Sequence, residues 1–307
     1  GRNQPAVVDH AMMRVLVMQG IVMQGIVMNR KRIALAMLSA VLLMVSGVAL
    51  AQRRGRWYDM DDRRGVPDWE IDKEFKEDVF TFVRIRYDSY GGYRRRGGGW
   101  DTDYRDSDLN FSLRLQELTS LKVNPDPIVL ELTDPRLFDY PFIYIIEPGA
   151  LVFHEAEVEA LRKYCFNGGF LMVDDFWGDS QYENLRMELK RVFPDRDPQE
   201  VPLEHEIFQC VYPMKEKPQV PAISAAYRMR DGRYGSWERT YDGSDTRTPH
   251  YRAIYDDDGR IMVFICHNTD LGDGWEREGE AQWYFEEFSV KKAYPMGINI
   301  VTYAMTH

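Results

Sequence analysis

Cysteine is scarce in this chain of 307 residues, which contains only Cys165, Cys210 and Cys266. No two of them have the close spacing of a zinc-binding or redox cysteine pair, so the sequence excludes sites built on such pairs. An odd number also prevents complete disulfide pairing within one chain. All three lie in apolar segments, which predicts that they are small buried core residues.

Positive charge is also in deficit, with 39 Lys and Arg against 49 Asp and Glu. Beyond residue 51 the deficit grows to 34 basic against 48 acidic side chains. Because binding to nucleic acid relies on Lys and Arg, we expect no nucleic-acid partner. Gly97–Gly99 lacks the fingerprint of a nucleotide-binding loop, so no nucleotide cofactor is implied either. The sequence leaves the cofactor open, with a divalent cation at Asp174 and Asp175 as one option.

Only one hydrophobic run, residues 33–50, is nearly long enough to span a membrane as a helix. It follows the basic residues 30–32 and ends at the small-residue site Ala49-Leu50-Ala51, an order typical of a signal peptide. We interpret residues 1–27 as an upstream extension and 28–51 as a signal peptide cleaved before Gln52. The mature chain is then periplasmic or secreted. An uncleaved anchor is the alternative, and would be its one membrane contact.

Periodicity divides the remaining chain into a polar arm, residues 52–77, and one domain, residues 78–307. Strand patterns at 81–87, 142–146 and 170–175 alternate with helix patterns, which indicates a parallel sheet with right-handed crossovers. Two strand patterns around Asp258-Gly259 predict an added antiparallel hairpin. We therefore predict a three-layer, doubly wound α/β fold with a mostly parallel sheet.

Two further expectations concern surface segments. In the first strand, the alternation places Val83 and Ile85 on one face and Arg84 and Arg86 on the other, which predicts a strand with one wet face or a wet end. Residues 222–248 are rich in Gly, Ser, Arg and Tyr and predict a long excursion loop.

The strongest local signal is the run Phe170-Leu-Met-Val-Asp-Asp175, a buried strand that ends in two carboxylates. Open α/β sheets place their ligand crevices at such strand ends. Asp174 and Asp175 are therefore candidates for binding a divalent cation, for acid-base catalysis or for accepting hydrogen bonds from a sugar. The alternative is that one caps a helix or pairs with arginine while the other is solvated.

Polar and aromatic residues follow two other predicted strands and are expected at the same edge of the sheet. His267 beside Asn268 and Asp270 would suit a hydrolytic or metal constellation, and the alternative is a polar turn that holds the loop. The tryptophans would suit stacking on a sugar, although tryptophan is usually buried in the core. The predicted ligand-binding rim comprises Trp100, Asp101, Asp103, Tyr104, Trp177, Asn268, Asp270, Asp273 and Trp275.

Several stretches together resemble a bacterial domain-of-unknown-function family, number 4159. They are Trp100 to Tyr104, residues 118–123, 132–135, 167–178, 267–275 and 294–298. The resemblance covers about residues 78–307 and implies a flavodoxin-like fold of the class I glutamine-amidotransferase type. Amidotransferases of that fold carry a cysteine nucleophile after a buried strand, where this chain has Asp174-Asp175. The resemblance therefore does not extend to amidotransferase activity.

Two functions from different classes remain. We favour a non-catalytic module that binds a ligand or a partner, with an envelope protein or carbohydrate as the partner class. The alternative is a periplasmic hydrolase, with or without the assistance of a metal, that acts on envelope carbohydrate or peptide. Its chemical groups would be Asp174, Asp175 and His267.

Overall fold

The computed structural model describes residues 63–307 apart from 64, 72–73, 75–77, 92–98, 227, 230–231 and 241. The predicted upstream extension and signal peptide, with the first part of the arm, lie outside these residues. Within them, no helix is both long enough and apolar enough to cross a membrane. The described end of the arm docks on the domain, where the indole of Trp69 donates a 2.7 Å hydrogen bond to the carbonyl of Val123.

A seven-stranded mixed sheet forms the centre of the domain, in the order β3-β1-β4-β6-β9-β8-β7. The first five of these strands are parallel to one another. β8 runs antiparallel to them, and β7, which pairs antiparallel with β8, runs in their direction again. A separate antiparallel pair joins β2 and β5. The strands are β1 (Val83–Ile85), β2 (Asp88–Ser89), β3 (Ile128–Leu130), β4 (Phe142–Ile146), β5 (Leu151–Val152), β6 (Phe170–Asp174), β7 (Gln199–Glu200), β8 (His250–Tyr255) and β9 (Ile261–His267).

Helices cover both faces of this sheet. They are α1 (Asp106–Leu118), α2 (Glu155–Phe166), α3 (Gly178–Val192), α4 (Leu271–Glu276), α5 (Gln282–Tyr284) and α6 (Tyr294–Thr306). A π-helix, Phe285–Ala293, connects α5 to α6, and three short 3-10 turns cover Pro135–Asp139, Pro148–Ala150 and Glu206–Phe208. The mostly parallel sheet between helical layers confirms the predicted α/β fold and its hairpin.

Alternating side chains of each central strand enter two separate cores. Tyr144, Met172 and Phe264 pack on the side of α1 and α6. Ile145, Val173 and Ile265 pack on the opposite side, against α2 and α3. Because both faces of the sheet are buried, the sequences of the central strands are almost entirely apolar, and polar residues follow at the end of each strand.

Arg84 departs from the prediction of a wet face, because its side chain is fully buried. Its guanidinium forms a salt bridge with Asp108 of α1, with 2.5 Å between Nη2 and Oδ1. The alternation in β1 is correct, but α1 covers the face that the sequence assigned to solvent. Arg86, two residues later, is exposed as predicted.

The strand order reverses between β1 and β4, which have crossovers on opposite sides of the sheet. In open α/β sheets, such a switch point leaves a crevice outside the carboxyl ends of the strands. The predicted excursion, residues 222–248, contains no helix or strand longer than a single bridge among its described residues. The fold therefore directs attention to the loops after β1, β4, β6 and β9.

Candidate functional site

Strained backbone marks the carboxyl end of the sheet. Among the described residues, four that are not glycine have a positive φ: Asp103 at 57°, Glu147 at 49°, Asp175 at 54° and Asn268 at 59°. The last three directly follow β4, β6 and β9. Asp and Asn tolerate this left-handed conformation better than most residues, but it is uncommon for Glu. Such residues cluster where a protein holds side chains in a fixed arrangement for function.

Asp174 ties β6 to the start of α4. Its Oδ2 accepts hydrogen bonds from the backbone amides of Leu271 at 2.8 Å and Gly272 at 3.0 Å. The hydroxyl of Tyr144 donates a third, at 3.3 Å. Oδ1 is buried and has no hydrogen-bond partner among the described residues. Burial raises the pKa of Asp174 to about 7 despite these donors.

Carboxyl groups from three loops converge beside Asp174. One oxygen from each of Asp103, Asp175 and Asp270 lies within 4.8 Å of the other two. Asp103 belongs to a second group with Asp273 and Glu276, which meets the same limit. We call the whole set the acidic cluster: Asp103, Glu147, Asp174, Asp175, Asp270, Asp273 and Glu276.

Burial and mutual repulsion oppose ionisation throughout this cluster. Burial is the larger cause of the raised pKa of Asp175, followed by the charges of Glu147 and Asp103. Burial likewise raises the pKa of Asp270, and the charge of Asp175 adds to it. Asp103 has a raised pKa from burial and from repulsion by Asp273. Like charges this close destabilise one another unless protons or cations intervene.

Basic side chains near the cluster are largely committed elsewhere. The guanidinium of Arg84 binds Asp108, together with the carbonyls of Trp100 at 3.0 Å and Thr102 at 2.9 Å. Arg277 contacts the outer members Asp273 and Glu276. In the described part of the chain, no Lys or Arg forms a salt bridge with Asp175 or Asp270. The described residues therefore supply no cationic partner for these two carboxylates.

The loop that carries Asp103 is held from two sides. Arg84 binds its carbonyl groups, and the carboxylate of Glu147 accepts a 2.6 Å hydrogen bond from the amide of Gly99. Burial raises the pKa of Glu147 to about 7. Gly272 packs closely on the other side of Asp103, where an added Cβ would lie 2.9 Å from Asp103 Oδ2. These contacts fix the position of Asp103 in the cluster.

His267 uses both ring nitrogens in structural contacts. Its Nε2 lies 3.0 Å from the carbonyl of Gly178, and its Nδ1 lies 3.0 Å from Nη1 of Arg252. Since the carbonyl accepts and the guanidinium donates, the ring is neutral with its proton on Nε2. Burial, with the charge of Arg252 second, lowers the pKa of His267 to about 3. The ring stacks between Phe176 and Tyr182. No nitrogen is left for a metal or a substrate.

The predicted aromatic rim divides between core and edge. Trp275 is fully buried and stacks on Phe111 at a centroid distance of 4.3 Å. Trp177 is buried too, and its indole donates to Asp175 Oδ1 at 3.3 Å. The ring centroids of Trp100 and Tyr104 are 5.9 Å apart. Both residues are half-buried, and so is Asp101.

The remaining predicted residues shape the loop after β9. Asn268 Oδ1 accepts from the amide of Gly178 at 2.9 Å, and its Nδ2 donates to the carbonyl of Thr248. Asp270 caps α4 by accepting from the amide of Asp273 at 2.7 Å. Asp270 and Asp273 thus serve the helix while they also belong to the acidic cluster.

The excursion lies across this loop. The amide of Ile223 donates to Asp273 Oδ2 at 3.0 Å, and the amide of Ala222 donates to Glu238 Oε1 at 2.6 Å. The charge of Glu238 contributes to the raised pKa values of Asp175 and Glu147. The predicted long loop is therefore part of the surroundings of the acidic cluster.

Sequence reasoning missed Glu147, Glu238 and Glu276. Glu147 had a usable signal, because it directly follows the apolar run of β4 just as Asp174 ends that of β6. Glu276 lies at the end of a short helix, and Glu238 lies within the excursion. Neither position carries a local pattern that places Glu276 in the cluster or Glu238 beside it.

Two buried cysteines lack the properties of nucleophiles. Burial raises the pKa of Cys165 to about 12 and that of Cys266 well above its usual range. Because the thiolate is the reactive form, both are inert at neutral pH. This agrees with the prediction of small core residues for these two positions. Cys210 is half-buried.

A family model described as Domain of unknown function (DUF4159) matches residues 81–305. No curated protein matches the chain.

Proposed function

We propose a function for a chain that belongs to the DUF4159 family of domains of unknown function, a membership that assigns no activity. The chain is a non-catalytic module that binds a divalent cation in its acidic cluster. Asp103, Asp175 and Asp270 are the protein ligands of this cation.

One observation carries the proposal. Asp103, Asp175 and Asp270 come from three different loops, and one carboxylate oxygen of each lies within 4.8 Å of the other two. The three side chains are largely buried, and among the described residues no Lys or Arg forms a salt bridge with Asp175 or Asp270. The unpartnered Oδ1 of Asp174 is buried alongside. Each buried carboxylate is costly to ionise, and a divalent cation offsets that cost for several at once.

The donor set selects the class of cation. All the ligand atoms in both groups are carboxylate oxygens, without histidine or cysteine. Hard cations such as Ca²⁺, Mg²⁺ and Mn²⁺ prefer oxygen ligands, whereas zinc sites are rich in nitrogen and sulfur. Three protein ligands leave coordination positions for hydroxyl or carboxylate oxygens of a partner. An envelope carbohydrate or protein is a partner class with such groups.

The hydrolase alternative finds less support. It assigned a role to His267, whose two ring nitrogens are already hydrogen-bonded. A metal-assisted hydrolase would need another base. The proposed module requires none, since carboxylates bind cations directly. Export to the periplasm or beyond remains part of the proposal, and N-terminal sequencing of the mature protein tests cleavage before Gln52.

Calorimetric titration tests the proposal. We expect metal-free protein to bind Ca²⁺, Mn²⁺ or Mg²⁺ and its Tm to rise with cation concentration. Asp175→Asn should weaken binding at least about tenfold, because it removes a ligand charge. Asp179→Asn is the matched control, an exposed aspartate four residues later, and should bind like the wild type. Absence of binding to any of the three cations by the wild type excludes the proposal.

The stability of the metal-free protein should depend on pH in an unusual direction. The folded-state pKa values of Asp174, Glu147 and Glu276 are raised to about 7 from ordinary carboxyl values. Their contribution to stability is therefore complete below about pH 4 and is lost as pH rises to about 7. A bound cation favours the ionised carboxylates and opposes this loss. We expect the Tm difference between calcium and EDTA to grow from pH 5 to pH 8. A difference independent of pH would contradict this expectation.

A further inference from the structure

A separate cleft lies beside the loop that carries Asp103, at the ends of β1 and β3 and the start of α2. Its volume is about 250 Å³, and its lining includes Arg86, Asp88, Trp100, Glu131, Thr133 and His154. None of its lining residues belongs to the acidic cluster. Trp100 packs against the core on the side of α2 and α3, whereas Asp103 packs against Gly272 of α4. The cleft is therefore distinct from the proposed cation site.

Oppositely charged side chains are paired in this cleft. Arg86 Nη2 donates to Glu131 Oε1 at 2.7 Å, and His154 Nε2 lies 3.0 Å from Asp88 Oδ2. The carboxylate of Glu157 accepts a 2.8 Å hydrogen bond from the amide of His154, and burial raises its pKa, which opposes its charge. Because the charges largely offset one another, an ionic ligand gains little here. The cleft favours a neutral ligand that forms hydrogen bonds.

The two pairs use only part of the hydrogen-bonding capacity of their side chains. In the described part of the chain, Arg86 Nη1, Glu131 Oε2 and Asp88 Oδ1 have no hydrogen-bond partner. Thr133 is exposed and adds a hydroxyl group. A hydroxyl group both donates and accepts, so a ligand with several neighbouring hydroxyl groups matches this mixed set of donors and acceptors.

Trp100 contributes an aromatic surface to the cleft. Trp177 and Trp275 of the predicted rim are buried, whereas Trp100 is half-buried. The guanidinium of Arg84 donates to its carbonyl at 3.0 Å and so fixes its backbone. The face of an indole packs well on apolar surface. A sugar ring has C–H groups on one face and hydroxyl groups around its edge, and so matches both the indole and the polar groups.

We propose that this cleft binds one pyranose ring of a neutral saccharide. Trp100 stacks on the apolar face of the ring, and Arg86, Asp88 and Glu131 hydrogen bond to its hydroxyl groups. The volume of about 250 Å³ is smaller than that of pockets for drug-sized ligands, which limits the cleft to a single ring. Further rings of a longer saccharide extend into solvent. No cation takes part, so this site stands or falls independently of the proposed cation-binding function.

Titration of disaccharides into metal-free protein in EDTA tests this site. The probes are cellobiose, maltose, lactose and N,N′-diacetylchitobiose, and binding is followed by saturation-transfer difference NMR. We expect at least one to bind with a Kd on the order of 1 mM, because a single ring makes few contacts. Trp100→Ala should weaken binding at least about tenfold. Glu131→Ala changes an exposed side chain outside the core and should also weaken binding about tenfold.

Trp283→Ala is the matched control, because Trp283 is an exposed tryptophan that does not line the cleft. This variant should bind like the wild type. Absence of binding by all four disaccharides would overturn the proposal, as would unchanged binding in both Trp100→Ala and Glu131→Ala. Binding that appears only with Ca²⁺ and is lost in Asp175→Asn would place the saccharide at the acidic cluster and would also overturn it.

Discussion

Asp103→Asn is expected to abolish cation-dependent stabilisation and, at the same time, to make the metal-free protein more stable. Asp103 is one of the three proposed ligands of the cation, so its loss removes a ligand charge from the site. We expect cation affinity to fall at least about 100-fold. Asparagine accepts the positive φ of this position, so the backbone need not change.

The gain in metal-free stability has a definite pH dependence. The folded-state pKa of Asp103 is raised by burial and by Asp273. Wild-type stability from this group is therefore complete below the unfolded pKa, near 4, and is lost as pH rises through the folded value. Asparagine does not titrate. In EDTA, the variant and the wild type should match at pH 4, and the variant should melt a few degrees higher at pH 8.5.

Chemical denaturation and calorimetry measure the two effects separately. Asp101→Asn is a suitable control, because Asp101 belongs to neither carboxylate group and lies in the same loop. A metal-free Asp103→Asn protein that is less stable than the wild type at pH 8.5 would show that this carboxylate serves the fold rather than a cation.

Arg84→Met is expected to cost about 3–5 kcal/mol of stability, because it leaves the charge of Asp108 buried without its partner. Both side chains of the pair are fully buried. The substitution also removes the hydrogen bonds to the carbonyls of Trp100 and Thr102. For a domain of this size, Tm should fall by roughly 6–20 °C.

Two comparisons isolate the cause. Arg86→Met removes the exposed pair with Glu131 and should cost about 0–1 kcal/mol. Arg84→Met combined with Asp108→Leu removes the unpaired charge and should recover part of the lost stability.

Arg84→Lys tests the link between Arg84 and the acidic cluster. Lysine keeps the positive charge but lacks the planar guanidinium that donates hydrogen bonds to both carbonyls. The Arg84→Lys variant should fold and should bind the cation more weakly than the wild type, because the loop that carries Asp103 is held less firmly. Wild-type affinity in that variant would contradict a positioning role for Arg84.

The sequence predicted the fold well where its signals are local. Apolar runs identified β4, β6 and β9, and Asp258-Gly259 identified the turn between β8 and β9. Pro295, whose fixed φ suits the start of a helix, lies in the first turn of α6. Each of these signals depends on a few neighbouring residues. The same strand-end reasoning singled out Asp103, Asp174, Asp175, Asp270 and Asp273 of the acidic cluster.

The errors and omissions have a common physical origin. The burial of Arg84 depends on Asp108, 24 residues later, and on the helix that carries it. The start of α3 at Gly178 depends on Asn268, 90 residues later, whose Oδ1 accepts a hydrogen bond from the amide of Gly178. The burial of Trp275 follows from Phe111 and from the close approach of Gly297. Pairings across the chain decide these positions, and no local pattern reports them.

The position of β9 has a consequence for biosynthesis. β9 lies between β6 and β8 and is the last strand of the sheet to be made. About ninety residues separate the end of β6 from the start of β9. Until residues 261–267 have emerged, the edge of β6 has no partner strand, and unpaired strand edges promote aggregation. The pairing of β6 in the sheet is therefore complete only once β9 has been made.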